Sequence, residues 1–137
     1  MAGEEEAVVT GARPDLAVYN EILRMEPHEI VGGLVEILGK KITAYLANVK
    51  DTRTIDAWME PGREAEEARR LDFNHLRLAL RVARILAARD SNRVVQAWFG
   101  GLNPQLGDRN PARLLREGKP EDGEAVLNAA RAMLVGG

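Results

Sequence analysis

The segment from Asp72 to about Arg89 constrains this chain more than any other. Wound at roughly 100° per residue, Phe73, Leu76, Leu78, Leu80, Val82, Ala83, Ile85 and Leu86 cover most of a helix's circumference. Only a narrow wedge holding Arg77, Arg81 and Arg84 stays polar. A helix apolar around most of its girth must be covered on several sides. The pattern therefore predicts a central helix that organises the fold, with Asp72 as its N-cap.

Periodicity places the other elements. Pro14 suits a first helical position, and Leu16, Tyr19, Ile22 and Leu23 follow at helical spacing. A second helix is predicted from Pro27 through Ile30, Val31, Leu34, Val35 and Leu38 to Gly39. Gly32-Gly33 inside it costs about 1 kcal/mol per glycine against alanine, which predicts that another helix approaches closely there. Residues 40–60 read as two short helices with a tight turn near Lys50-Asp51, closed by Pro61-Gly62. Residues 63–71 are dense in charge and expected to be exposed, and residues 1–13 read as a flexible acidic tail. Ser91 caps a helix from Asn92 to Phe99, which stops at Gly100-Gly101. A loop with Asn103-Pro104, Gly107 and Asn110-Pro111 leads to a short helix at Pro111–Glu117 and a last one from Glu121 to Leu134. No stretch alternates as a strand does. The expected fold is all-α, a multi-helix single domain of about six or seven helices.

Composition excludes several classes of function. There is no cysteine, so thiol catalysis, thiolate metal sites and disulfides are out. No apolar run reaches the roughly 18 residues of a membrane span, and Met1 to Glu6 is acidic where a secretory signal is basic. A cytoplasmic protein without membrane contact is expected. The net charge of −2 leaves room for a local basic patch but does not announce a nucleic-acid partner. His28-Glu29 lacks the second histidine of a zinc-protease motif, since position 32 is glycine. His75 reads as a packed side chain of the central helix. Gly33 to Lys40 fails as a phosphate loop, because its glycines stand one residue too far apart and Lys41 replaces the Ser or Thr. No nucleophile, base or metal cluster is assembled, so no enzyme activity, cofactor or metal is expected.

Residues 91–137 carry Ala97-Trp98-Phe99, then Leu102-Asn103-Pro104, Leu106, Pro111, Leu114-Leu115, Gly118, Val126-Leu127 and Gly136-Gly137. In that order and spacing they resemble the toxin-binding domain of the Xre/MbcA/ParS antitoxin family. The likeness extends more loosely over residues 28–90, which are similar to the family's helix-turn-helix-like region and long connecting helix. It implies a division into a tail (1–13), a helix-turn-helix-like region (14–70), a connecting helix (71–90) and C-terminal toxin-binding helices (91–137). It also implies a partner, a RES-domain toxin that destroys NAD, whose active site the antitoxin covers. A hetero-oligomeric toxin–antitoxin complex follows from that, and self-association is invited by the apolar central helix and the Gly32-Gly33 surface.

For the toxin-binding surface the candidates are Trp98, Phe99, Asn103, Pro104 and Leu114, together with Arg131, Leu134, Val135, Gly136 and Gly137. Large rings beside small residues are what interfaces use as anchors, although Trp98 could equally fill the core. The C-terminal residues could form a short tail that orders on binding.

Many relatives also bind operator DNA. The candidate recognition helix here holds Thr52, Arg53 and Asp56. Counted back from Trp58, the turn positions that ordinarily carry a glycine and a buried aliphatic residue hold Val49 and Lys50, a departure from a working motif. Between Asp51 and Glu60 three acids accompany one base, the wrong balance for a phosphate-lined groove. Arg63, Arg69, Arg70, Arg77 and Arg81 could touch the backbone, yet Glu64, Glu66 and Glu67 sit among them. The expected function is neutralisation of a RES-type toxin with optional autoregulation of the operon. The alternative is a helix-turn-helix transcriptional regulator without a toxin partner.

Overall fold

In a computed structural model of the chain, residues 14–61 and 73–136 are described. The expectations for the acidic tail, the charge-dense stretch, the Asp72 cap and Gly137 lie outside the described residues. Among the described residues eight α-helices follow one another: α1 (Pro14–Leu23), α2 (Pro27–Leu38), α3 (Lys40–Ala47), α4 (Thr52–Trp58), α5 (Asn74–Ala87), α6 (Asn92–Gly100), α7 (Pro111–Glu117) and α8 (Pro120–Gly136). A single 3-10 turn, Pro104–Leu106, lies between α6 and α7. The fold is all-α, with more helices than the tally read from the sequence.

Helix α5 is central, as its apolar girth requires. It packs against α1, α2, α3, α6, α7 and α8, and Leu76, Ala79, Leu80, Val82, Ala83, Ile85 and Leu86 are all buried. Its closest neighbours are glycines. A Cβ on Gly33 of α2 would stand 3.0 Å from Leu80 Cδ1, and one on Gly123 of α8 would stand 2.7 Å from Leu78 Cδ2. The predicted close approach at Gly32-Gly33 therefore belongs to Gly33, while Gly32 faces open space. Gly33 and the apolar girth of α5 are thus covered by the chain's own helices, while Gly32 remains open.

The arginine wedge of α5 has a different fate from the one read in the sequence. Arg77 donates through Nη1 to the carbonyls of Ile22 and Met25, both at 3.0 Å, at the C-terminal end of α1. A cation there satisfies carbonyls that the helix cannot, and meets the negative end of its dipole. The Arg81 guanidinium lies 4.6 Å from the centre of the Tyr19 ring, and Arg84 pairs with Glu21 at 2.9 Å. The wedge is the bed of α1. Arg77 and Arg81 are thus engaged within the chain and have little left to offer a DNA backbone.

The α3–α4 turn also departs from the reading, in the opposite sense. Asn48, not Val49, takes the left-handed conformation (φ 60°). The Val49 amide returns to the Ala44 carbonyl at 3.0 Å, and its side chain packs against the core. A left-handed residue followed by a packed aliphatic one is the helix stop that such a turn needs. The register was one residue out, and Lys50 stays on the surface.

Candidate interaction surface

Helix α6 starts at Ser91, whose hydroxyl accepts from the Val94 amide. Val95 and Phe99 then point into the core, being 1% and 0% exposed. One position along the helix, Trp98 sits half-buried with its ring edge-on to Phe99, 5.6 Å between centroids. Trp98 packs on the core and also lines a groove.

That groove, about 350 Å³, runs between Ala97 and Trp98 of α6, the loop 101–105, and Ala129 and Met133 of α8. Its far wall is a loop locked by hydrogen bonds. The Asn103 side chain accepts from the Gln105 amide at 2.9 Å, and its carbonyl accepts from Leu106 and Asp108, both at 2.9 Å. Asn110 donates to the Gly101 carbonyl at 2.8 Å and caps α7 through the Arg113 amide. Arg109 ties the loop to Asp122 at 3.2 Å. So fastened, the loop holds Leu102 out in solvent at 73% exposure, across the groove from exposed Met133. Val94, one turn before Trp98, is exposed as well. Large apolar groups left uncovered beside a rigid rim mark a site for another surface.

The candidate residues divide sharply. Phe99 and Leu114, 0% and 4% exposed, fill the core and have no surface to offer a partner, which corrects their assignment as contacts. Asn103 shapes the loop rather than crowning it, whereas Trp98 and Pro104 line the groove. The expected C-terminal tail is not a tail, because α8 continues through Gly136. Arg89 Nη1 donates to the Leu134 carbonyl and fastens the last turn to the end of α5. Arg131 and Leu134 are half-buried on this turn, and Val135 is its outermost residue. Leu102 and Val94 were not among the candidates. Leu102 stood inside the motif, where the Gly-Gly before it and the Asn-Pro after it took the attention. Val94 falls one helical turn before Trp98, a spacing visible in the sequence.

The recognition-helix candidates stand apart from this groove. Asp51 caps α4 through the Arg53 amide at 2.9 Å and pairs with the Arg53 guanidinium at 2.5 Å. Those hydrogen bonds from Arg53 hold the Asp51 carboxyl below its ordinary value and raise Arg53 in turn. Asp56 pairs with Lys40 at 2.7 Å, and Thr52 is half-buried. Elsewhere, His75 Nε2 lies 3.0 Å from the Leu46 carbonyl, which gives the ring a packing role. Among the described residues no group of three acids or histidines could hold a metal ion, and no helix is long and apolar enough to cross a membrane.

No protein-family model matches the chain, and no curated protein matches it. A solved structure does. One chain of the crystal structure of the M. tuberculosis MbcT-MbcA toxin-antitoxin complex superimposes with a TM-score of 0.61 and 25% identity, over 80% of this chain and 94% of that one. This chain is MbcA-like. The MbcA-like fold supports an antitoxin role and carries the groove on the part of the chain that the family motif spans.

Proposed function

We propose that this MbcA-like chain is a non-enzymatic antitoxin that neutralises a RES-type, NAD-consuming toxin by covering its active site with the C-terminal region, residues 91–137. The observation that carries the reading is the groove between Trp98 and Met133, with Leu102 uncovered at its edge and Val135 exposed on the same helix as Met133. Aromatic and aliphatic anchors on a rigid rim are what bury well against another protein. The groove itself is small, and stable inhibition takes roughly 1,200–2,000 Å² of buried surface, so the outer face of α8 joins the contact. In this reading Trp98, Pro104, Arg131, Leu134 and Val135 touch the toxin, while Asn103 holds the loop that presents Leu102. Gly136 and Gly137 complete the proposed contact, Gly137 lying outside the described residues, and the two proteins form a hetero-oligomer in the cytoplasm. The test is co-expression with the product of the adjacent gene, followed by an assay of NAD loss. Copurification with loss of NAD consumption supports the reading, and an undiminished rate in the presence of excess chain overturns it.

A second reading adds operator binding, and the Asn48-Val49 turn favours it because it restores a helix-turn-helix stop. Thr52, Arg53 and Asp56 would then face the groove of the DNA, at the cost of breaking the Asp51–Arg53 and Lys40–Asp56 pairs. Anisotropy titration with the chain's own upstream promoter at low salt tests this. Binding that Arg53→Ala abolishes supports it, and no binding leaves a protein-only inhibitor.

A further inference from the structure

A second concavity lies where the α3–α4 turn meets the α7–α8 turn. Two hollows of about 570 and 440 Å³ share His75 and Arg116 as walls. The larger is bedded on Ala47, Val49, Trp58, Phe73 and Leu76, and edged by Asn48, Lys50, Thr54, His75 and Arg116. An apolar bed with a few convergent polar groups is how small-molecule sites of roughly 300–1,000 Å³ are built. Neither hollow shares a lining residue with the Trp98 groove.

Two observations give the chemistry. The first is charge. Lys50 and Lys119 make no ion pair among the described residues. Arg116 is engaged only by neutral groups, the Asn48 side-chain oxygen at 2.5 Å and the Tyr45 ring at 4.5 Å. Glu117, the one carboxylate in the walls among the described residues, is held by Arg113 at 3.1 Å. A chain of net charge −2 thus gathers unneutralised cations around one hollow. The second is an orphan donor. Trp58 is 3% exposed, and its indole N–H has no acceptor. A buried donor without a partner is rare and marks a place where an acceptor is missing.

We propose that this hollow binds a phosphate ester of nucleotide size. The phosphate is held by Lys50 and Arg116, and the ring is bedded toward the Trp58–Phe73 pair, whose centroids are 5.7 Å apart. Since its walls come from both the helix-turn-helix-like part and the C-terminal part, a bound ligand ties the two together. The site is independent of the antitoxin reading.

Replacing Trp98 by phenylalanine leaves Trp58 as the sole indole of the two in the chain. Titrating this variant with adenosine 5′-monophosphate should shift the Trp58 emission and its indole N–H resonance, with a midpoint between about 1 μM and 1 mM. Adenosine and inorganic phosphate should each bind at least about tenfold more weakly, and a promoter duplex should leave the resonance unmoved. Lys50→Ala should weaken the response about tenfold with Tm unchanged, because Lys50 is exposed and unpaired. An unmoved resonance at about 10 mM nucleotide, an unaltered response in Lys50→Ala, or a response to DNA alone would overturn the assignment.

Discussion

The surface of α4 and the groove between α6 and α8 are both exposed, but they differ in what they leave unspent. On α4 the two charges of the helix itself already have partners, Arg53 with Asp51 and Asp56 with Lys40. Along the groove the large apolar groups have none, with Leu102, Met133 and Val135 facing water. A surface whose charges are mutually satisfied gains little from a phosphate, which must displace an existing ion pair. Uncovered apolar groups gain whenever any complementary surface covers them. The difference is the ground on which we propose protein binding for the second region and treat DNA binding by the first as conditional.

The contrast can be attacked first at its foundation. Phe99→Ala removes the ring under Trp98 and should destabilise the fold by about 3–5 kcal/mol, read as a fall in Tm. Loss of toxin binding would come with it. Leu102→Asp, by comparison, should weaken toxin binding by about 2–3 kcal/mol, some 30- to 100-fold, with Tm unchanged because Leu102 is already in solvent. Isothermal titration beside a melting curve separates the two; if Leu102→Asp binds as the parent does, the groove is not the contact. Next in size, Arg77→Ala removes both hydrogen bonds to the end of α1 and should cost about 2 kcal/mol. Faster amide exchange confined to α1 would locate that loss, while uniform loosening would mean that α1 is part of one cooperative core.

The smallest effect concerns pH. Asp51 is held below its ordinary 3.8 by hydrogen bonds from Arg53. A lowered folded-state value stabilises at neutral pH, and that contribution fades as pH falls below 3.8 and through the folded value. Asp51→Asn should therefore flatten the acid limb of the stability curve slightly, without touching toxin binding. A matching change in toxin affinity would draw α4 into the interface.

Much of the fold was legible, because a helix apolar on nearly every side leaves few arrangements open. Phe73 to Leu86 announced the centre of the molecule, and Gly33 announced a close neighbour. The arginines of α5 were misread since periodicity shows that a face is polar, not whether water or another helix's carbonyls will cover it. The Asn48 turn was missed by one residue because asparagine can take the left-handed conformation that a search for glycine overlooks. The site was legible only in part. The motif residues Phe99, Leu106, Leu114 and Leu115 follow the periodicity of the core and are buried there. Leu102 owes its exposure to hydrogen bonds made by Asn103 and Asn110, which no hydrophobic pattern records. The end of α8 looked like a loose tail, but Arg89 reaches the Leu134 carbonyl across 45 residues of sequence.

The most direct test is amide hydrogen exchange of this chain with and without the adjacent-gene toxin. Protection should appear on residues 97–105 and 129–135 and leave α4 unchanged. Protection confined to α4, or none along the groove in a complex that forms, would contradict the assignment of the toxin contact to the C-terminal region.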